Sequence, residues 1–138
     1  MKRTEIIEEL KKYDFDEKEY LVISSAALVI HGIKEETKDI DISVTRKYYQ
    51  YLEEHYECEL ERYDDKNHVN IYYIHGIINF STNYYSEDID DFVMIDGIRV
   101  QSIPAIIRLK QMLNRPKDLR DLELIEKFLN RKIPRNIT

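Results

Sequence analysis

The run Asp39-Ile40-Asp41-Ile42-Ser43-Val44 constrains this chain more than any other stretch. Ile40, Ile42 and Val44 alternate strictly with Asp39, Asp41 and Ser43. Successive side chains of a strand point to opposite faces, so the spacing predicts a strand with one apolar and one polar face. The apolar row needs cover from other elements. The polar row carries two carboxylates on one side, about 6.6 Å apart at the backbone. Strands normally avoid Asp, and neighbouring carboxylates repel. A bound Mg2+ resolves both problems, because it takes hard oxygen ligands and completes its octahedron with water and substrate phosphates. The plainer alternative is a solvated strand face.

The flanking sequence supplies the rest of the architecture. Tyr20 to Ile23 reads as a short apolar strand ended by Ser24-Ser25, and Ala26 to Ile30 as a short helix closed by Gly32. A strand passing into a helix through two serines offers N–H groups and hydroxyls that suit a phosphate, and equally the side-chain cap of an ordinary helix. The stretch KEETK is a loop. Residues 3–13 have Ile6, Ile7, Leu10 and Tyr13 at helical spacing, and residues 46–57 also read as helix. From Glu59 the period changes to two. Strands are expected at 68–74 and 77–82 around His75-Gly76, and a second hairpin pairs 92–95 with 98–101 around Asp96-Gly97. Pro104 and Pro116 then open two helices. The sum is a single α+β domain over residues 1–138, a small mixed sheet flanked by helices, with further helices at the C-terminal end.

Composition narrows the function classes. One domain is the natural reading of 138 residues. With 21 basic against 27 acidic residues the net charge is -6, which argues against broad nonspecific nucleic-acid binding. No apolar run is long enough for a membrane span, and the charged start MKRTEIIEELKK lacks a signal-peptide pattern, so a cytoplasmic location without membrane contact is expected. Cys58, the one cysteine, excludes an internal disulfide and a cysteine-based zinc site. His31, His55, His68 and His75 show no metal-ligand spacing. Tyr48, Tyr49, Tyr51 and Tyr56 suit a half-buried amphipathic helix or a subunit contact, so a homodimer is one expectation.

Two segments carry a further signal. Lys110 has Ile106, Ile107 and Leu113 among its neighbours three and four residues away, so its stem belongs to the buried side of a helix. Its ammonium then either reaches solvent or meets an anion. Asp118 begins the line Asp118, Leu122, Ile125, Leu129, a core-facing stripe with a carboxylate where the helix dipole favours it. Together, SSAALVIHGIKEETKDIDISV and QSIPAIIRLKQMLNRPKDLRDLELI resemble the signature of the nucleotidyltransferase superfamily, closest to its minimal and abortive-infection toxin-like members.

The resemblance implies the nucleotidyltransferase fold and transfer of a nucleoside monophosphate from an NTP such as ATP. The acceptor would be a hydroxyl or phosphate on tRNA, a protein or a small molecule. In the toxin version a cognate antitoxin is a partner. Asp39 and Asp41 would hold Mg2+, with Mn2+ as a substitute. Ser24 and Ser25 would cradle the triphosphate, Lys110 would touch its phosphates, and Asp118 or Asp121 would position Lys110 or the acceptor. Three positions depart from the family pattern. Ser24 stands where many members have Gly, Glu35 where a loop Arg is common, and Asn79, in GIINFS, where larger members have a third carboxylate. Asn79 can offer a metal its carbonyl but cannot accept a proton. These departures suit a second reading, a binding module of the same fold that works through a protein partner.

Overall fold

A computed structural model describes residues 1–65, 67–82 and 91–132. In chain order the elements are α1 (Arg3–Lys11), β1 (Tyr20–Ile23), α2 (Ser24–Ile30), β2 (Ile40–Val44), α3 (Arg46–His55), β3 (Cys58–Asp64), β4 (Val69–Ile74), β5 (Ile78–Ser81), β6 (Phe92–Ile95), β7 (Ile98–Gln101), α4 (Ile103–Leu113) and α5 (Pro116–Lys132). Among the described residues the strands form one seven-stranded sheet in the order β3-β4-β5-β2-β1-β7-β6. It is mixed: β2 runs parallel to β5 and β1 parallel to β7, while β1–β2, β3–β4, β4–β5 and β6–β7 are antiparallel. The α+β class expected from the sequence is the one observed. Among the described residues no helix is long and apolar enough to cross a membrane.

Local chemistry explains where elements start and stop. Thr45 caps α3 by accepting the Tyr48 N–H at 3.2 Å, and Ser102 caps α4 by accepting that of Ala105 at 3.3 Å. Gly32 ends α2 in the left-handed region at φ 81, where glycine has no Cβ penalty. Its N–H reaches Val29 O at 3.0 Å and that of Ile33 reaches Leu28 O at 2.9 Å, the bond pair of a Schellman motif. Asp96-Gly97, both at positive φ, close the two-residue β6–β7 hairpin between Ile95 and Ile98.

Some boundaries differ from the periodicity reading. The first helix stops at Lys11, although Tyr13 still packs on the core. The third stops at His55, because Tyr56 turns extended to enter β3. The second begins at Ser24 itself, with Ile23 at the cap position and no side-chain cap. Ser24 sits at φ 59, a left-handed conformation that costs a non-glycine residue about 1 kcal/mol or more.

Alternation along the strands gives the sheet two unlike faces. Tyr20, Val22, Ile40, Ile42, Val44, Ile74, Ile78, Phe80, Ile98 and Val100 share one buried cluster. Ile6 and Leu10 of α1, Leu28 and Ile30 of α2, Leu52 of α3, Ile106 of α4 and Ile125 of α5 complete it. Residues in between belong to the other face. There Ile23 pairs with Asp41, Asp41 with Asn79, and Asn79 with Tyr73, so one rung of four neighbouring strands places the polar groups side by side.

Candidate active site

That rung is the floor of a cavity of about 830 Å³. Ser24, Asp39, Asp41 and Asn79 line it from the centre of the sheet, Glu61, Arg62, Asp64 and Ile71 from the β3–β4 side. Leu109, Met112, Leu113, Arg115 and Lys117 close it from the end of α4 and the start of α5. One wall is acidic and the facing wall presents two cations beside an apolar strip.

The acidic wall is electrostatically loaded. Asp41 lies on β2 and Asp39 just before it, both partly buried. Burial, then the charges of Asp39 and Glu61, push the Asp41 carboxyl up from its ordinary 3.8 to about 6, against the opposing pull of Lys117 and Lys110. The Tyr73 hydroxyl donates to Asp39 Oδ2 at 3.3 Å. Among the described residues no three His, Cys, Asp or Glu gather as a ready-made metal cage. The donors present still fit Mg2+, which is commonly held by one or two carboxylates with substrate phosphates filling the remainder. A crowded pair whose neighbours disfavour its second negative charge is also a pair that a divalent cation relieves.

Behind the basic wall is a buried ion-pair network. Lys110 is 2% exposed, and its Nζ lies 2.9 Å from Asp121 Oδ2 and 3.5 Å from Asp118 Oδ1. Asp121 Oδ1 also meets Lys34 Nζ at 3.3 Å, and the same ammonium donates to Ser25 Oγ at 3.4 Å. Arg115 grips Asp118 through Nε at 2.7 Å, Nη2 at 3.1 Å and its backbone N–H at 3.0 Å. Burial alone would raise the Asp118 carboxyl. The hydrogen bonds and charge of Arg115, with the charge of Lys110, outweigh it and hold the group at about 2.

The residues singled out in the sequence thus fall into two adjoining sets. Ser24, Asp39, Asp41 and Asn79 meet in the cavity. Lys110, Asp118 and Asp121 form the network, and Ser25 joins it through Lys34. Lys110 does not line the cavity; Arg115 and Lys117, on either side of Pro116, do. Its charge acts on Asp41 from behind.

Sequence reasoning missed Glu61 and Lys34. Lys34 meets Asp121 across 87 residues of chain, a contact with no local signature. Glu61 sits at a β-bulge. Leu60 is opposite Tyr72 and Arg62 opposite Ile71, so Glu61 is the unpaired extra residue. Unbroken alternation from Glu59 would have put Arg62 and Asp64 on the far face; the bulge puts Glu61, Arg62 and Asp64 all on the cavity. There Asn79 Nδ2 donates to Glu61 Oε2.

Comparison with known proteins agrees at the level of fold. No family model matches the chain, and no curated protein is recognisably similar in sequence. Among solved structures, the chain is similar to a Thermotoga maritima protein described as a candidate nucleotidyltransferase, with a TM-score of 0.61 and 18% identity over 96% of this chain and 97% of that one. At that identity the likeness establishes a common fold.

Proposed function

We propose that this protein is a Mg2+-dependent nucleotidyltransferase that moves a nucleoside monophosphate from an NTP to an acceptor hydroxyl. The observation that carries the reading is the cavity, whose floor pairs Asp39 with Asp41 and whose opposite wall presents Arg115 and Lys117. The fold shared with the Thermotoga protein supports it.

Each part of the site has work to do in this reaction. Asp39 and Asp41 are the residues that would hold the cation, with the Asn79 carbonyl beside them. Bound there, Mg2+ would supply charge neutralisation for a triphosphate that the acidic wall would otherwise repel. Arg115 and Lys117 face the phosphate oxygens, and Asp118 fixes the Arg115 guanidinium by a bidentate grip, so its donors are set before the ligand arrives. Lys110 and Asp121 brace Asp118 from inside, so Lys110 acts through position and field. Ser24 sits at the phosphate end, and Ile23, Leu109, Met112 and Leu113 give the base an apolar wall. The acceptor belongs to tRNA, a protein or a small molecule. A toxin held by a cognate antitoxin is the biological form we favour.

One feature favours a second reading, a nucleotide-binding module without turnover: Asn79, in register beside Asp41, cannot take a proton. Thermal unfolding with each of the four NTPs, with and without Mg2+, tests what the two readings share. Nucleotide at about 100 times its dissociation constant should add about 2.7 kcal/mol, several degrees for a domain of this size. The shift should need Mg2+ and disappear in Asp39→Asn/Asp41→Asn. No shift with any nucleotide would end the enzyme reading and leave a module of this fold that works through a protein partner.

A further inference from the structure

We propose that Glu61, at the bulge of β3 and held by Asn79, is the group that accepts the acceptor's proton; this rests on the nucleotidyl-transfer reading above. In that transfer the acceptor oxygen forms a bond to the α-phosphorus. The bond from that phosphorus to the oxygen bridging to the β-phosphorus breaks, and pyrophosphate leaves with the electron pair. The hydroxyl proton is left over, and a neutral hydroxyl is a poor nucleophile unless a positioned base removes it.

Among the described residues the cavity offers four carboxylates, and three are otherwise engaged. Asp39 and Asp41 would hold the cation. Asp64 has both oxygens tied to Asn67, at 3.4 Å from the backbone N–H and 3.0 Å from Nδ2. Glu61 differs from all three. It lines the cavity, and its negative charge is felt by Asp41, which places the two carboxylates in one field. Asn79 donates to its Oε2, which leaves Oε1 to take the proton. Asn79 itself lies in register with Asp41, so the contact holds Glu61 beside the metal-holding pair. Asn79 is then a positioning residue, and the missing carboxylate of its own strand is supplied from another. The bulge puts Glu61 and the adjacent Arg62 on the same face, and bulges concentrate next to active sites.

Pyrophosphate release from Mg2+–NTP in the presence of bulk tRNA tests this, because it reports transfer to any hydroxyl, water included. Glu61→Gln keeps an oxygen for the Asn79 amide and removes the base. It should keep the Mg2+-dependent nucleotide shift and slow release about 100-fold or more. Adding Asn79→Asp to Glu61→Gln returns a carboxylate across the same contact, and release should recover at least about tenfold over the single variant. Wild-type release in Glu61→Gln would overturn the proposal, as would loss of its nucleotide shift, which would make Glu61 a binding residue. A double variant no faster than Glu61→Gln, with nucleotide binding intact, would assign Glu61 to shape and overturn it as well. A wild type that binds nucleotide without releasing pyrophosphate would do the same in favour of the binding module. A wild type with neither would instead remove the underlying reading.

Discussion

The two faces of the central strands differ by one residue of register and follow opposite rules. On one, Ile40, Ile42, Ile78 and Phe80 are buried and wholly apolar. On the other, at neighbouring positions of the same strands, are Asp41, Ser43, Asn79 and Ser81. The first face removes apolar surface from water and holds the sheet to its helices. The second gives up that gain, and in Asp41 it keeps a carboxylate whose proton affinity shows an unfavourable charge. Stability is concentrated on one side so that chemistry can occupy the other.

The largest test of this division compares adjacent residues. Phe80→Ala removes a fully buried ring that packs 5.4 Å from Tyr49 and 5.7 Å from Tyr72, and should cost about 3–5 kcal/mol in chemical denaturation. Asn79→Ala, one residue away on the other face, should cost about 1 kcal/mol or less. Equal losses would break the comparison.

Asp41→Asn sharpens it with the opposite sign. Asp41 rises from 3.8 to about 6 in the folded chain, a difference of about 3 kcal/mol. The folded state holds this proton more tightly than the unfolded one. The penalty is therefore absent below pH 3.8, grows as pH rises to about 6, and is full above it. Without added cation, Asp41→Asn should be up to about 3 kcal/mol more stable at pH 7–8 and unchanged at pH 3.5, while losing the Mg2+-dependent nucleotide shift. A less stable variant at pH 8 would show that Asp41 supports the fold. Asp118, held at about 2, behaves inversely, contributing stability above pH 3.8 that is lost as the pH falls towards 2.

Ser24→Gly gives the smallest effect. Relief of the left-handed backbone at φ 59, less the extra freedom of glycine in the unfolded chain, should raise stability by about 0.5–1 kcal/mol. A drop in melting temperature would mean that the hydroxyl contributes more than the strain removes.

What could be read from the sequence follows the same division. The apolar face is written in local alternation, and the ends of α2, α4 and the β6–β7 hairpin in Gly32, Pro104 and Asp96-Gly97, because each depends only on near neighbours. The side of α4 that buries Lys110 was legible for that reason too. Its partners were not fixed by helical spacing, since Asp118 and Asp121 lie across the α4–α5 turn. Lys34 needed the whole tertiary structure. Glu61 was missed because alternation gives a face and not a partner, and its contact with Asn79 lies 18 residues along the chain; the bulge hid only that Arg62 and Asp64 share that face.

The bulge occurs on β3, at the outer edge of the sheet, where among the described residues one side has no neighbouring strand to be thrown out of step. A chain without Glu61 would keep Arg62, Tyr63 and Asp64 opposite Ile71, Asn70 and Val69, on the faces they now hold, and would lose only the extra carboxylate on the cavity, with β1, β2, β5 and β7 keeping their places. The margin of this fold can thus add or drop a functional group by a change in length alone, while its centre, fixed by strands on both sides, has to change residue by residue.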